Sequence, residues 1–221
     1  MNTPQGNLGL TYGERRMILF VAISAVGLFY AAWVHKPHLP AIKAPPPRLT
    51  TFTPSTVMGP HPHARGAESR AYTVGEFADY ECPFCIDANR EVMSLLKGYK
   101  GRLCLVFRNY PLTAVHPYAM SAALRAEAAG CLGEFWPMHD ALFAANGKLD
   151  SKHLSSLTAA LKLPQKRFTL ALATTAKSIV TRDLRDGKRL GIQGTPTFYL
   201  CCPKGEVYLL GSLAQIPKFI R

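Results

Sequence analysis

Glu76-Phe77-Ala78-Asp79-Tyr80-Glu81-Cys82-Pro83-Phe84-Cys85 decides how this chain is read. The first half belongs to a buried strand over Tyr72–Tyr80, with Glu76 inside it. The second half opens a helix from Pro83 to about Lys97, marked by the apolar Ile86, Val92, Leu95 and Leu96. Two cysteines at i and i+3 across a helix start place the first sulfur, Cys82, at the positive end of the helix dipole. Free backbone N–H groups there favour a thiolate over a thiol. Cys85 lies one turn on, close enough to close a small disulfide ring with Cys82. That pattern is suited to thiol–disulfide exchange. A structural bridge and a zinc site are the competing readings. Zinc needs four ligands, yet the chain has no second Cys-x-x-Cys, and the adjacent Cys201 and Cys202 make a poor chelate.

Working outward, Gly194-Thr195-Pro196-Thr197-Phe198 opens a later strand, Thr197–Cys202. Read alone, it is an X-Pro turn entering an edge strand. Together with FRNYPL (107–112), HPYAMSAALRAEAAG (116–130), EFWPMHDALF (134–143) and GIQGTPTFYL (191–200), it makes the chain resemble the DsbA-like thioredoxin-fold thiol–disulfide oxidoreductases. The resemblance covers about Tyr72 to Gly211. It implies an α/β thioredoxin-like fold with a helical insertion at about 112–190. It also implies a cis-proline at Pro196 facing the cysteine pair, with the Thr195 backbone free to pair with a client strand. Cis X-Pro bonds are uncommon enough that a retained one usually has a purpose. On the same resemblance Cys82 and Cys85 form the redox disulfide, and Pro83, Phe84, Thr195 and Pro196 meet the client. Glu76 is a buried acid that passes protons to and from Cys85.

The remaining segments supply the fold's other parts. Leu103–Tyr110 reads as a second core strand, with Leu103, Leu105 and Phe107 alternating against Cys104, Val106 and Arg108. Helices follow near Pro117–Cys131, Glu134–Ala144, Ser151–Leu161, Gln165–Thr174 and Ala176–Leu190. Pro203-Lys204-Gly205 then turns the chain into Val207–Leu210, giving a hairpin at the sheet edge. The Cys82 strand is expected between the strands carrying Cys104 and Cys201. Two strand spacings are roughly 9–10 Å, too wide for an easy bridge between those flanking strands. Buried Cys104 is expected as a free thiol; the pairing of Cys131, Cys201 and Cys202 stays open. His116 and His139 read as packing or helix-end residues, since a catalytic Cys–His pair would need one beside Cys82. Glu81 reads as exposed.

The N-terminal third reads differently. Met17–Val34 is an uncharged, almost wholly apolar run, about 27 Å long as a helix, preceded directly by Arg15 and Arg16. Residues 17–34 are therefore expected to be a transmembrane signal-anchor, with residues 1–16 a short cytoplasmic N-terminus. A cleaved signal peptide is the rival reading. Residues 35–70 carry Pro37, Pro40, Pro45, Pro46, Pro47, Pro54, Pro60 and Pro62, and read as a proline-rich linker holding a redox domain, 71–221, off the membrane. His35, His38, His61 and His63 read as solvated linker histidines rather than a metal tract.

The net charge of +12 is spread over both parts. Residues 1–71 hold seven Lys/Arg and two Asp/Glu, and residues 72–221 hold nineteen and twelve. The densest group is Lys177, Arg182, Arg185, Lys188 and Arg189, tempered by Asp183 and Asp186; it reads as a solvated helix face. No nucleic-acid recognition motif accompanies it, so nucleic acid is not expected as a partner.

The sequence thus points to a bacterial inner-membrane, single-pass protein with its catalytic domain in the periplasm. Its expected partners are cysteine-containing client proteins and a separate protein that recycles the pair. This chemistry calls for no diffusible cofactor and no metal. Thr195 before the proline resembles reducing and isomerising relatives, whereas the helical insertion resembles oxidases. The balance falls toward a dithiol oxidase, with a disulfide isomerase or reductase, or a noncatalytic chaperone using the same groove, as alternatives.

Overall fold

The computed structural model describes residues 44–220 apart from His61 and Arg70. Its elements in chain order are β1 (Arg48–Leu49), α1 (Pro54–Met58), β2 (His63–Gly66), β3 (Tyr72–Ala78), α2 (Pro83–Gly98) and β4 (Leu103–Asn109). Five helices follow: α3 (Ala119–Gly130), α4 (Phe135–Ala144), α5 (Ser151–Ala160), α6 (Gln165–Ala173) and α7 (Thr175–Arg189). Then come β5 (Thr197–Cys201), β6 (Val207–Leu210) and a 3-10 turn over Leu213–Lys218. The strands lie in the order β1-β6-β5-β3-β4-β2. β3 runs parallel to β4 and antiparallel to β5, which puts the strand leading to Cys82 in the middle of the sheet. A parallel pair needs a crossover, and α2 supplies it. α3 to α7 form the helical insertion between β4 and β5, where the sequence places it.

Both faces of the sheet are covered. From β3, Val74 and Ala78 pack in the clusters beside α2, while Phe77 packs with Val57, Tyr110 and Tyr199 on the other face. Gly75 lies so close to Val57 that a Cβ there would come within 2.3 Å of its Cγ1. In β4 every residue is buried. One alternate set, Leu103, Leu105 and Phe107, joins the clusters beside α2. Burial on both faces is why β3 and β4 read as nearly continuous apolar runs.

Residues 44–69 overturn part of the expected linker. They are built into the domain. Arg48 and Leu49 pair with Leu209 and Tyr208, and His63–Gly66 pair with Phe107–Cys104. Pro54 begins α1, where its missing N–H costs little, and the Thr53 hydroxyl accepts from the Thr56 N–H. Val57 is fully buried. Prolines bar a segment from a central strand but not from an edge or a helix start. A few buried side chains were enough to dock this one. The same segment takes the β5–β6 hairpin away from the sheet edge where it was expected, because β1 covers β6. The apolar run 17–34 and the rest of 1–43 lie outside the described residues. Among those described, no helix is long and apolar enough to cross a membrane.

Two polar groups dock β2 on the insertion. The His63 ring hydrogen-bonds Glu127 (2.8 Å) and stacks on Phe135, with centroids 3.6 Å apart. Arg65 makes two 2.8 Å bonds to Asp140 and lies over the Trp136 ring. On the opposite face Arg108, 2% exposed, donates to Asp183 (2.9 Å), Asp186 (2.7 Å) and the Val57 carbonyl (2.8 Å). The two acids of α7 therefore turn inward to Arg108. Lys177, Arg185, Lys188 and Arg189 remain on the exposed face of α7.

Candidate active site

α2 starts at Pro83, with Cys82 as its N-cap in extended backbone. The Cys82 carbonyl accepts from the N–H groups of Cys85 (3.0 Å) and Ile86 (3.1 Å), so the chain enters the helix directly behind the sulfur. The Cys82 thiol donates to the Thr195 carbonyl at 3.4 Å, and the Thr195–Pro196 peptide is cis. The two distant motifs thus meet at one sulfur.

The two thiols are polarised in opposite directions. The Cys82 pKa is lowered to about 5. The Cys85 thiol's hydrogen bond is the main cause; the N–H groups of Cys85 and Phe84 add to it, and burial opposes. Cys85, fully buried, is pushed up, first by burial and then by the hydrogen bond it gives to Cys82. The Asp79 N–H, 3.4 Å from Cys85 Sγ, pulls the other way. The arrangement therefore presents one ready thiolate with a protonated thiol behind it. Pro83 and Phe84 lie at the surface next to Cys82, with Phe84 72% exposed.

Glu76 is fully buried on the face of β3 that α2 covers, between Val74 and Ala78. Burial raises its pKa from 4.5 to about 8, and neither carboxyl oxygen has a hydrogen-bond partner among the described residues. It makes no hydrogen bond to either cysteine of the pair. A neutral acid at this depth can hold and release a proton near neutral pH.

Asp79 carries no expectation from the sequence, and Glu81 is not where the sequence puts it. Asp79, 1% exposed, accepts from the Glu81 N–H on Oδ1 (2.8 Å). Its Oδ2 accepts from the Leu112 N–H (2.8 Å) and meets His116 Nδ1 (2.8 Å). Glu81, expected in solvent, is half-buried and accepts from the Tyr118 N–H at 2.6 Å. The only local signal was an acid at the end of a buried strand, three residues before a cysteine. His139 lies in an aromatic cage with Phe107, Trp136 and Phe143, and its Nδ1 meets the Tyr80 hydroxyl at 3.2 Å. Neither histidine touches Cys82.

A groove of about 620 Å³ runs past Pro196 and Thr197, walled by Pro45–Arg48 and Leu209–Gly211. Gln215 holds that wall: its amide donates to the Pro45 carbonyl (2.6 Å) and accepts from the Gly211 N–H (2.9 Å). A second hollow, about 400 Å³, adjoins it at Pro196 and Thr197 and runs along Leu190–Thr195. Elsewhere, Cys104 and Cys201 sit on strands either side of Thr73, as the strand order predicted. Burial pushes Cys201 up to about 12. Among the described residues no group of three or more His, Cys, Asp or Glu is placed to hold a metal.

The family described as thioredoxin matches residues 59–206. Among curated proteins, the Na(+)/H(+) antiporter NhaA 1 of Salinispora arenicola (strain CNS-205) is 41% identical over 139 residues, 62% of this chain and 21% of that protein. NhaA 3 of Salinispora tropica is 40% identical over 139 residues, with the same coverage of 62% and 21%. The chain spans about a fifth of the length of these curated relatives. Among solved structures, a thioredoxin-like oxidoreductase from Silicibacter pomeroyi DSS-3 superposes with a TM-score of 0.65 at 22% identity, over 76% of this chain and 96% of that one. The thiol-disulfide exchange protein alpha-DsbA2 of Wolbachia pipientis gives 0.62 at 16% identity, over 74% and 87%. Oxidised BdbD of Bacillus subtilis gives 0.53 at 25% identity, over 63% and 80%.

Proposed function

The chain belongs to the thioredoxin family, with a DsbA-like helical insertion, and from that premise we propose that it is a protein thiol–disulfide oxidoreductase acting on cysteine-containing client proteins through Cys82 and Cys85. One observation carries the reading: Cys82 is a low-pKa thiol at a helix N-terminus, 3.4 Å from the Thr195 carbonyl, with the protonated Cys85 directly behind it.

In the oxidising direction a client thiolate attacks Sγ of Cys82 in the Cys82–Cys85 disulfide. The client–Cys82 bond forms, the Cys82–Cys85 bond breaks, and Cys85 takes up a proton. A second client thiolate then attacks the client sulfur, Cys82 leaves as a thiolate, and the client keeps a disulfide. Thr195 and Pro196 align the client strand, Pro83 and Phe84 give it a surface, and Glu76 exchanges protons with Cys85. The stabilised Cys82 thiolate is the better leaving group and favours the reduced protein, which supports a dithiol oxidase. Isomerisation or reduction is the alternative that Thr195 leaves open.

The site belongs outside the cytoplasm in this reading: Arg15 and Arg16 ahead of the apolar run 17–34 suit an anchor in a bacterial inner membrane, with residues 44–220 in the periplasm. A separate redox protein would recycle the pair. The stretch shared with the antiporters is a fifth of their length, and ion exchange is no part of this proposal.

The deciding experiment pairs oxidation of a reduced client with insulin reduction, for the wild-type chain and Cys82→Ser, alongside the reduction potential of the pair. An oxidising potential with client oxidation lost in Cys82→Ser supports the oxidase. A reducing potential moves the assignment to reductase or isomerase. Client binding without either activity would leave a chaperone.

A further inference from the structure

The backbone at Ala78 and Asp79 is held at three points, two of them on the peptide unit between these residues. Its carbonyl, on Ala78, accepts from the Tyr110 N–H at 2.8 Å. Its N–H, on Asp79, points at Cys85 Sγ at 3.4 Å. The next carbonyl, on Asp79 itself, accepts from the Cys82 N–H at 3.2 Å. The Asp79 side chain completes the hold. Its carboxylate binds Glu81 N–H, Leu112 N–H and His116 Nδ1, tying the turn before Cys82 to the loop that enters the helical insertion. A buried carboxylate with several donors is a strong orienting device, because hydrogen bonds to charged groups exceed neutral ones.

We propose that Asp79 is a positioning residue for Cys85: its carboxylate locks the turn so that its own backbone N–H stays aimed at the buried sulfur. The inference rests on the exchange reading above and adds a residue to it. During reduction of a client, Cys85 loses its proton and attacks Sγ of Cys82. The Cys82–Cys85 bond forms, the Cys82–client bond breaks, and the client sulfur leaves and takes up the proton. Client oxidation runs through the same atoms in reverse. In both directions negative charge appears on Cys85 Sγ in a site closed to water. Cys82 has the free N–H groups of the helix start; Cys85 is inside the first turn and has the Asp79 N–H instead. That N–H is also a force that lowers an otherwise raised Cys85 pKa.

Charge alone makes the opposite forecast. An aspartate near a developing thiolate repels it, so the neutral isostere Asp79→Asn would speed resolution if repulsion dominated. Under positioning it slows resolution, because an amide NH2 in place of Oδ2 cannot accept from Leu112 N–H and His116.

The test uses the full-length reduced chain and a disulfide-linked dimer of a short single-cysteine peptide. Acid quenching and mass spectrometry follow the Cys82–peptide adduct, with Cys85→Ser as the form that cannot resolve. Iodoacetamide labelling of Cys82 against pH is measured in parallel. In Asp79→Asn the adduct should persist about tenfold longer, the equivalent of one lost charge-assisted bond, while the Cys82 labelling profile matches wild type. An unchanged or shorter adduct lifetime overturns the proposal, as does a Cys82 profile that shifts along with the lifetime. If Asp79→Asn does not fold, His116→Ala removes one of the three partners and should lengthen the adduct about twofold to threefold; no change there overturns it equally. A wild-type chain that forms no adduct sinks the exchange reading itself, which separates the two failures.

Discussion

The Cys82 sulfur and the Thr195 carbonyl oxygen, 113 residues apart in the chain, lie 3.4 Å from one another. A helix start contributes one and the entry to β5 the other. The contact exists because β3 and β5 are neighbours in register, Phe77 opposite Thr197, so both segments leave the sheet on the same side.

Cys82 should be the thiol that reacts at low pH. With its pKa lowered to about 5, alkylation of the reduced protein should reach half its limiting rate near there, while Cys85 stays unmodified through neutral pH. The folded value lies below the unfolded one, so the thiolate stabilises the reduced fold above pH 9, and that gain is lost as pH falls through 5. Peptide mapping after alkylation at stepped pH reads this directly. Earlier labelling of Cys85 would reverse the roles.

Glu76 should make the wild-type fold less stable as pH rises. Its folded pKa of about 8 is above the ordinary 4.5. The stability associated with the neutral acid is complete below pH 4.5 and declines up to about pH 8. At roughly 1.4 kcal/mol per unit the span is at most about 5 kcal/mol. Glu76→Gln should flatten this slope, gaining on wild type in urea unfolding at pH 8.5 relative to pH 5. Parallel pH dependences for the two proteins would refute it. If Glu76 also serves Cys85, exchange in the variant slows at pH 7.

Arg108→Met should be severely destabilising. It leaves buried Asp183 and part-buried Asp186 with only the longer contacts to Arg182 (3.5 Å) and Arg185 (3.7 Å). Burial already raises Asp183 to about 6, with Arg108 opposing. Losing one partner of a buried ion pair costs about 3–5 kcal/mol. Urea unfolding at pH 7 checks this, and Arg108→Met combined with Asp183→Asn should recover part of the loss. A cost below about 1 kcal/mol would show the network to be dispensable.

A chain beginning at Tyr72 should fold poorly compared with one beginning at Ala44. The shorter chain lacks both edge strands, Val57 and the Gln215–Pro45 clamp. Val57 fills most of the space above Gly75. Thermal unfolding of the two chains decides the matter, and equal midpoints would restore residues 44–69 to the status of a spacer.

Much of the core was legible because its signals are short-range. The helix from Pro83 and the strands around Thr73, Leu105 and Tyr199 follow from apolar runs bounded by turn residues, and their ends fall within a residue or two of those read. The insertion helices followed from the same periodicity. The error over residues 44–69 has a specific cause. Proline content reports what a segment cannot do inside a helix or a central strand, and is silent about edges. Arg48–Leu49 and His63–Gly66 form strands only because β6 and β4 offer open ladders.

The sequence alone offers the candidate redox pair. Cys82 and Cys85 at a helix start are a local arrangement whose chemistry follows from backbone dipoles and spacing. It also marked Pro196, Thr195 and Glu76 as companions through their resemblance to a known family. Their surroundings came with the tertiary fold: Glu76 has no hydrogen-bond partner among the described residues, Asp183 and Asp186 turn inward to Arg108, and Asp79 gathers Glu81, Leu112 and His116 at the turn before Cys82. A carboxylate's type and position can be read from a chain. Its hydrogen-bond donors cannot, because they are selected when distant segments close around it and water is excluded.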